Sequence, residues 1–233
     1  MRDGASGLLA WIGAHERGFL VALLLAAGGV WLFAELADEV AEGETRAIDE
    51  RLLLALRERD DPNDPLGPAW AEELARDVTG LGGAGVLGFV TLAGAGFLFL
   101  QGKRYLALYV LAAIGSGALL SLLLKSGFDR PRPDLVAHGQ TVYTSSFPSG
   151  HAMLSAVTFL TLGALLASAQ SSRRLRAYLL GLAALLSAAV GTSRIYLGVH
   201  WPTDVLAGWT AGAAWALVCW GVAEYLRRRG RVE

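Results

Sequence analysis

An all-α bundle of six transmembrane helices, with short amphipathic surface helices between the first two spans, is the fold this sequence predicts. Three observations carry the prediction. Of 233 residues, 54% are hydrophobic and 18% charged, against roughly 25% charged in an average soluble domain. The mean hydropathy is positive, at +0.44. Above all, the apolar residues gather in six helix-length runs, 18–37, 81–100, 105–124, 152–169, 177–192 and 205–223, and a bilayer core about 30 Å thick needs about 20 such residues per helix. Soluble helices keep a polar face at 3.6-residue spacing, and these runs mostly lack one.

The first run follows Arg17 and carries one charge, Glu35, near its end. It is long for a signal-peptide core and no small-residue cleavage site follows, so it reads as a retained span. The segment 38–80 then holds five arginines among thirteen acids. Ile48, Leu52 and Leu56 recur at i, i+4, i+8, as do Trp70, Leu74 and Val78. That periodicity predicts two short amphipathic helices on the outer membrane surface, packed on the protein at the entrance to a site. Between them Asp61-Pro62-Asn63-Asp64-Pro65 reads as a solvated turn, since it lacks the ligand spacing and terminal Glu of a calcium loop. The five later runs are rich in Leu, Ala and many of the 29 glycines, and glycine lets membrane helices approach closely. No linker, charge block or internal repeat divides the chain, so a single membrane domain, 1–233, is expected.

Charge excludes some functions and orients the chain. Twenty Lys and Arg against 21 Asp and Glu give a net charge of -1, so no basic excess points to nucleic acid. A single cysteine, Cys219, permits neither an intrachain disulfide nor a Cys-built zinc site. With six spans, Arg2, Arg17, Lys103, Arg104, Arg173, Arg174, Arg176, Arg227, Arg228, Arg229 and Arg231 share one side with only four acids. The positive-inside rule places that side, and both termini, in the cytoplasm.

The polar chemistry collects in two loops that the parity of six spans puts on the opposite face. One runs from Lys125 through Asp129-Arg130-Pro131-Arg132-Pro133 to Pro148-Ser149-Gly150-His151; the other runs from Ser193-Arg194 to His200-Trp201-Pro202-Thr203-Asp204. Lys125, Arg132 and Arg194 supply three cations, and guanidinium forks match phosphate oxygens. Pro131 and Pro133 stiffen the backbone around Arg132. Ser149 is placed to cap the fourth span, leaving N–H groups at Gly150 and His151 for an anion, and Gly150 lets that anion approach the backbone. His200 precedes Asp204 by four residues, with Pro202 in the first turn of a helix, so the carboxylate can fix the imidazole tautomer and stabilise its cation. A neutral ring nitrogen then faces outward as a nucleophile, while His151 is free to protonate a leaving oxygen.

These residues form K-x6-R-P (Lys125, Arg132, Pro133), P-S-G-H (Pro148 to His151) and S-R-x5-H-x3-D (Ser193, Arg194, His200, Asp204), a set that resembles the three-part signature of the type 2 phosphatidic acid phosphatase (PAP2) superfamily. The resemblance implies a lipid phosphatase that works without metal or other cofactor. In it His200 would become phosphorylated, Asp204 would be its partner and His151 the general acid. Lys125, Arg132, Ser149, Gly150 and Arg194 would hold the phosphate, with Ser193 beside them. Family substrates include undecaprenyl diphosphate, phosphatidylglycerol phosphate, phosphatidate and lipid A phosphates. The expected partners are a membrane lipid phosphate and the bilayer, with no nucleic acid and no obligate protein partner. The expected location is a bacterial inner membrane, with the site facing the periplasm or exterior. Two alternatives use the same cationic site: a lipid phosphotransferase, or an anion or lipid transporter that cleaves nothing.

Overall fold

The computed structural model describes residues 3–136 and 144–228, apart from the side chains of 3–17 and 228. Of the basic residues that orient the chain, Arg2, Arg229 and Arg231 lie outside the described residues. Among those described there are eight helices and no strand: α1 (Asp3–Glu42), α2 (Arg46–Leu54), α3 (Ala69–Gly80), α4 (Ala84–Leu100), α5 (Arg104–Ser126), α6 (Gly150–Ser168), α7 (Arg173–Tyr196) and α8 (Pro202–Arg228).

Five helices are long and apolar enough to cross a bilayer, and six spans result when α3 and α4, bent by 48° at a short break, count as one. The break lies at Leu81-Gly82-Gly83, inside the start of the apolar run 81–100, so α4 alone has 17 residues. The first helix is longer than its apolar run, 40 residues from Asp3 to Glu42, because Ala, Leu and Glu flank the run and carry the helix past it.

The distribution of side chains fits a bilayer as solvent. Large apolar side chains point outward, with Leu24 71%, Phe89 72% and Leu185 65% exposed. The interior is built from small and hydroxylated residues such as Ala156, Ser155, Thr158, Ala183 and Ser187. Association of membrane helices rests on close packing of small residues. At the seam between α6 and α8 the approach is to main chain: a Cβ at Gly208 would lie 2.6 Å from Ser149 O, and one at Gly212 would lie 2.5 Å from Met153 O. Trp209 of α8 fills the space left by Gly191 of α7 and donates to Ser187 O at 3.0 Å.

Both helices expected in the acidic segment are present, and the turn between them closes as expected. Asn63 N–H donates to Asp61 Oδ1 at 2.9 Å, and Glu58 N and Leu66 N bond Asp64 O and Leu56 O across a short hairpin. The buried face of α2 is the reverse of what periodicity implies. Ile48 and Leu52 are exposed, whereas Asp49 and Leu53 are buried. Leu53 packs with Val136 and Trp201, and Asp49 finds charged and hydrogen-bonding partners, which removes the cost of burying it.

Candidate active site

The motif residues sit at helix ends, except Arg132 and Pro133 in the loop after α5 and His200 in the turn between α7 and α8. Lys125 lies in the last turn of α5, where a cation is favoured by the exposed carbonyls. The chain then turns through Phe128, whose ring meets Phe147 edge-on at 4.7 Å. Phe147 is fully buried, in an apolar cluster with Leu36 of α1 and Ala207 of α8. This plug pins the loop against the bundle just before Ser149, where the Phe147–Pro148 bond is cis. A second anchor is Trp201, also fully buried, whose indole N–H donates to Pro131 O at 3.0 Å.

His200 and Asp204 meet as their spacing predicts. Nδ1 of His200 lies 3.3 Å from Asp204 Oδ2, and α8 begins at Pro202. The carboxylate is wholly buried and accepts further bonds from Trp201 N at 2.9 Å, from Ser146 Oγ, and from Arg130 Nη1 at 2.5 Å on the other oxygen. So many donors fix it as an ionised acceptor, and the proton between the pair belongs on His200 Nδ1. Nε2 then carries the lone pair. Burial pulls the His200 imidazole down from 6.5 to about 4, against the upward pull of Asp204, which keeps the ring neutral at ordinary pH.

Arg132 faces that lone pair, with Nη1 3.2 Å from His200 Nε2. Its fork is held by Val199 O at 2.6 Å and by Thr144 O at 2.9 Å. Burial lowers its guanidinium from the ordinary value, with Asp204 opposing the shift. Lys125 Nζ donates to Ser145 O at 2.6 Å, a carbonyl that Arg132 Nη2 also reaches at 3.4 Å. Gly150 lies beneath Lys125, where an added Cβ would stand 3.5 Å from Cε. Arg194 is 1% exposed and donates to Thr79 Oγ1 at 2.9 Å. His151 is within electrostatic reach of Arg194, His200, Lys125 and Arg132.

The structure thus brings the two loops, 68 residues apart at Arg132 and His200, into one cationic cluster at the ends of α5, α6, α7 and α8. Of the two motif serines, Ser149 departs from expectation. Ser149 occupies the N-cap position of α6 but makes no capping bond through its side chain; its buried Oγ has no hydrogen-bond partner among the described residues. Ser193 is buried at the same end of α7, yet its hydroxyl donates to Val190 O at 2.6 Å, so its proton stays within its own helix. Among the described residues no group of three or more His, Cys, Asp or Glu gathers as metal ligands do.

Sequence reasoning missed Asp49, Thr79, Gly82, Arg130 and Ser146. Arg130 had a visible signal, a second arginine in the same Pro-stiffened run as Arg132. The others had none, since their site contacts join segments far apart in the chain.

Comparison with known proteins places this arrangement. The family model "PAP2 superfamily" matches residues 106–228. Phosphatidylglycerophosphatase B of Bacillus subtilis is 33% identical over 165 residues, covering 68% of this chain and 78% of that one. An undecaprenyl-diphosphatase of Sulfolobus acidocaldarius is 41% identical over 68 residues, 29% of either chain. The crystal structure of a transmembrane PAP2-type phosphatidylglycerolphosphate phosphatase from Bacillus subtilis superposes with a TM-score of 0.76 at 26% identity, covering 87% of this chain and 98% of that one. The matched segment contains every motif residue from Lys125 to Asp204, and on these grounds this multi-pass membrane chain belongs to the PAP2 superfamily.

Proposed function

We propose that the chain is a PAP2-type lipid phosphatase that hydrolyses the phosphate ester or diphosphate of a membrane lipid through a phosphohistidine on His200 Nε2. The observation that carries this reading is the line Asp204 Oδ2 to His200 Nδ1 to His200 Nε2 to Arg132 Nη1. It orients a neutral imidazole with its lone pair toward a cation that can hold phosphate.

In the proposed reaction the substrate phosphate displaces Arg132 from Nε2 and lies among Lys125, Arg132, Arg194, Ser149 Oγ and the first N–H groups of α6. Nε2 attacks phosphorus in line, and the bond from phosphorus to the leaving oxygen breaks. His151 takes up a proton as the anionic phosphate offsets the cations around it, and gives that proton to the leaving oxygen. Asp204 keeps the Nδ1 proton and balances the imidazolium that forms. Water then attacks the phosphohistidine, His151 takes the water's proton, the P–N bond breaks, and inorganic phosphate leaves. Three cations stabilise the charge on the equatorial oxygens, the main demand of phosphoryl transfer.

A lipid substrate suits helix ends that open where a head group meets water. The related phosphatidylglycerophosphatase makes phosphatidylglycerol phosphate the first substrate to try. We place the site on the outer face of a bacterial inner membrane, with the termini in the cytoplasm, on the charge distribution. The test is phosphate release in detergent with EDTA from phosphatidylglycerol phosphate, phosphatidate and undecaprenyl diphosphate, comparing wild type with His200→Ala. Release by wild type alone is expected. An active His200→Ala protein, or a folded wild type inert toward all three lipids, would overturn the reading.

A further inference from the structure

Behind the catalytic pair, on the side away from the phosphate, runs a second line of buried charge. Arg130, from the loop after α5, bridges two carboxylates: Nη1 to Asp204 Oδ1 at 2.5 Å and Nη2 to Asp49 Oδ2 at 2.6 Å. Asp49, 0% exposed, also accepts Thr203 N–H at 2.9 Å and Thr203 Oγ1–H at 2.6 Å. It therefore caps the first turn of α8 from another part of the chain, 154 residues away, and a carboxylate at a helix N-terminus is favourable. Arg130 also donates to Thr203 Oγ1 at 2.9 Å and to Thr45 Oγ1 at 3.2 Å.

The order of charges matters. If Arg130 stood alone against Asp204, it would cancel the charge that must stabilise the His200 imidazolium. Asp49 supplies a second negative charge, so Asp49, Arg130 and Asp204 together carry a net charge of minus one, facing a ring that becomes positive on attack. We infer that Asp49 and Arg130 are positioning residues for the nucleophile: Arg130 aims the Asp204 carboxylate, and Asp49 offsets Arg130 while locking the α8 turn that carries Asp204. This gives the acidic 38–80 segment, through α2, a part in positioning the nucleophile. The inference rests on His200 being the nucleophile.

His200 is bonded to Asp204 of α8 and lies within electrostatic reach of Arg132 of the loop after α5, Arg194 of α7 and His151 of α6, while Arg130 of the same loop and Asp49 of α2 reach it through Asp204; Lys125 of α5 acts on the same cluster. With all others unchanged, Asp49→Asn removes a negative charge and Arg130→Met a positive one. Each single variant is expected to lower kcat about tenfold with KM little changed, as for a group acting through orientation and charge. The acid limb of kcat/KM should move in opposite directions, down in pH for Asp49→Asn and up for Arg130→Met. The double variant, which restores the net charge, should return the limb to the wild-type position and recover more activity than the product of the single losses allows. A purely structural role would not produce opposite shifts. Shifts of one sign, no shift, or losses in KM alone would overturn the inference. Should a single variant fail to fold, the double variant and Asp49→Glu decide it: both must keep the wild-type limb. His200→Ala runs alongside, since an active His200→Ala protein would refute the nucleophile itself, whereas an inactive one with unshifted Asp49 and Arg130 variants would refute only this inference.

Discussion

Gly82, at the corner between α3 and α4, is where a single methyl group should do most harm. A Cβ there would stand 2.3 Å from Val190 Cγ1, 3.3 Å from His151 Cδ2 and 3.4 Å from His151 Cβ. Carbon atoms pack at about 3.5–4.0 Å, so Val190 or the corner must move by about 1 Å. Val190 is fully buried, and its branched side chain has one favoured rotamer in a helix, so the backbone corner has to retreat. Overpacking of this kind costs about 1–3 kcal/mol in stability. The corner carries Thr79, which holds Arg194, and it walls one side of His151. Misplacement of such groups by about 1 Å is worth about a hundredfold in rate. Gly82→Ala is therefore expected to lower kcat by about two orders of magnitude while lowering the melting temperature modestly, both measured on detergent-solubilised protein with mixed-micelle substrate. Adding Val190→Ala, which opens the space the methyl group needs, should recover much of the rate. A Gly82→Ala protein with wild-type rate and stability, or a loss that Val190→Ala leaves untouched, would refute the reasoning.

Other outcomes follow from single contacts. Thr79→Val removes the hydrogen bond to the buried Arg194, worth about 1.5–3 kcal/mol for a charged donor; kcat/KM should fall about tenfold or more, and Thr79→Ser should retain it. Ser149→Ala deletes a buried hydroxyl with no partner among the described residues, so the melting temperature should hold while inhibition by inorganic phosphate weakens about tenfold, in line with one lost bond to a charged ligand. The His200 imidazole, lowered to about 4 by burial, binds fewer protons folded than unfolded between pH 4 and 6.5. Stability from this group is complete above about pH 6.5 and declines by about 3 kcal/mol as pH falls through that window. The nucleophile is still mostly neutral at about pH 5, so the rate should hold to that point and fall below it, which pH-resolved melting and initial rates would check.

The spans and the motif residues were legible in the sequence because each depends on local information: the length of an apolar run, or residue types at fixed spacing. His200 and Asp204 meet because four residues separate them at a helix start, and parity alone put both loops on one face. What stayed hidden depends on pairs far apart. Thr79 reaches Arg194 across 115 residues, and nothing near Thr79 distinguishes it from an ordinary surface-helix threonine. The face of α2 was inverted for a related reason. Periodicity identifies an apolar stripe, but in a membrane protein that stripe need not face the protein. Ile48 and Leu52 stay exposed, while Asp49 turns inward to Arg130 and Thr203. The break at Gly82 was masked because its residues are as apolar as the span they interrupt.

The seam between α6 and α8 has an evolutionary consequence. With no side chain at Gly208 or Gly212 to hold them apart, the two helices meet main chain to main chain, and Ser149 N–H bonds directly to Asp204 O at 2.9 Å. The helix that starts at Gly150 and carries His151 and the turn that carries His200 are thereby mounted on one backbone frame, so the spacing between the proposed acid and nucleophile is set by main chain and not by the side chains that fill the rest of the bundle. On the proposed mechanism, substitutions on the lipid-facing surfaces, or in the 38–80 segment away from Asp49, would leave unchanged the distance over which the proton and the phosphoryl group move. A reaction frame held by main chain is compatible with the different lipid phosphates named for the related phosphatidylglycerophosphatase and undecaprenyl-diphosphatase.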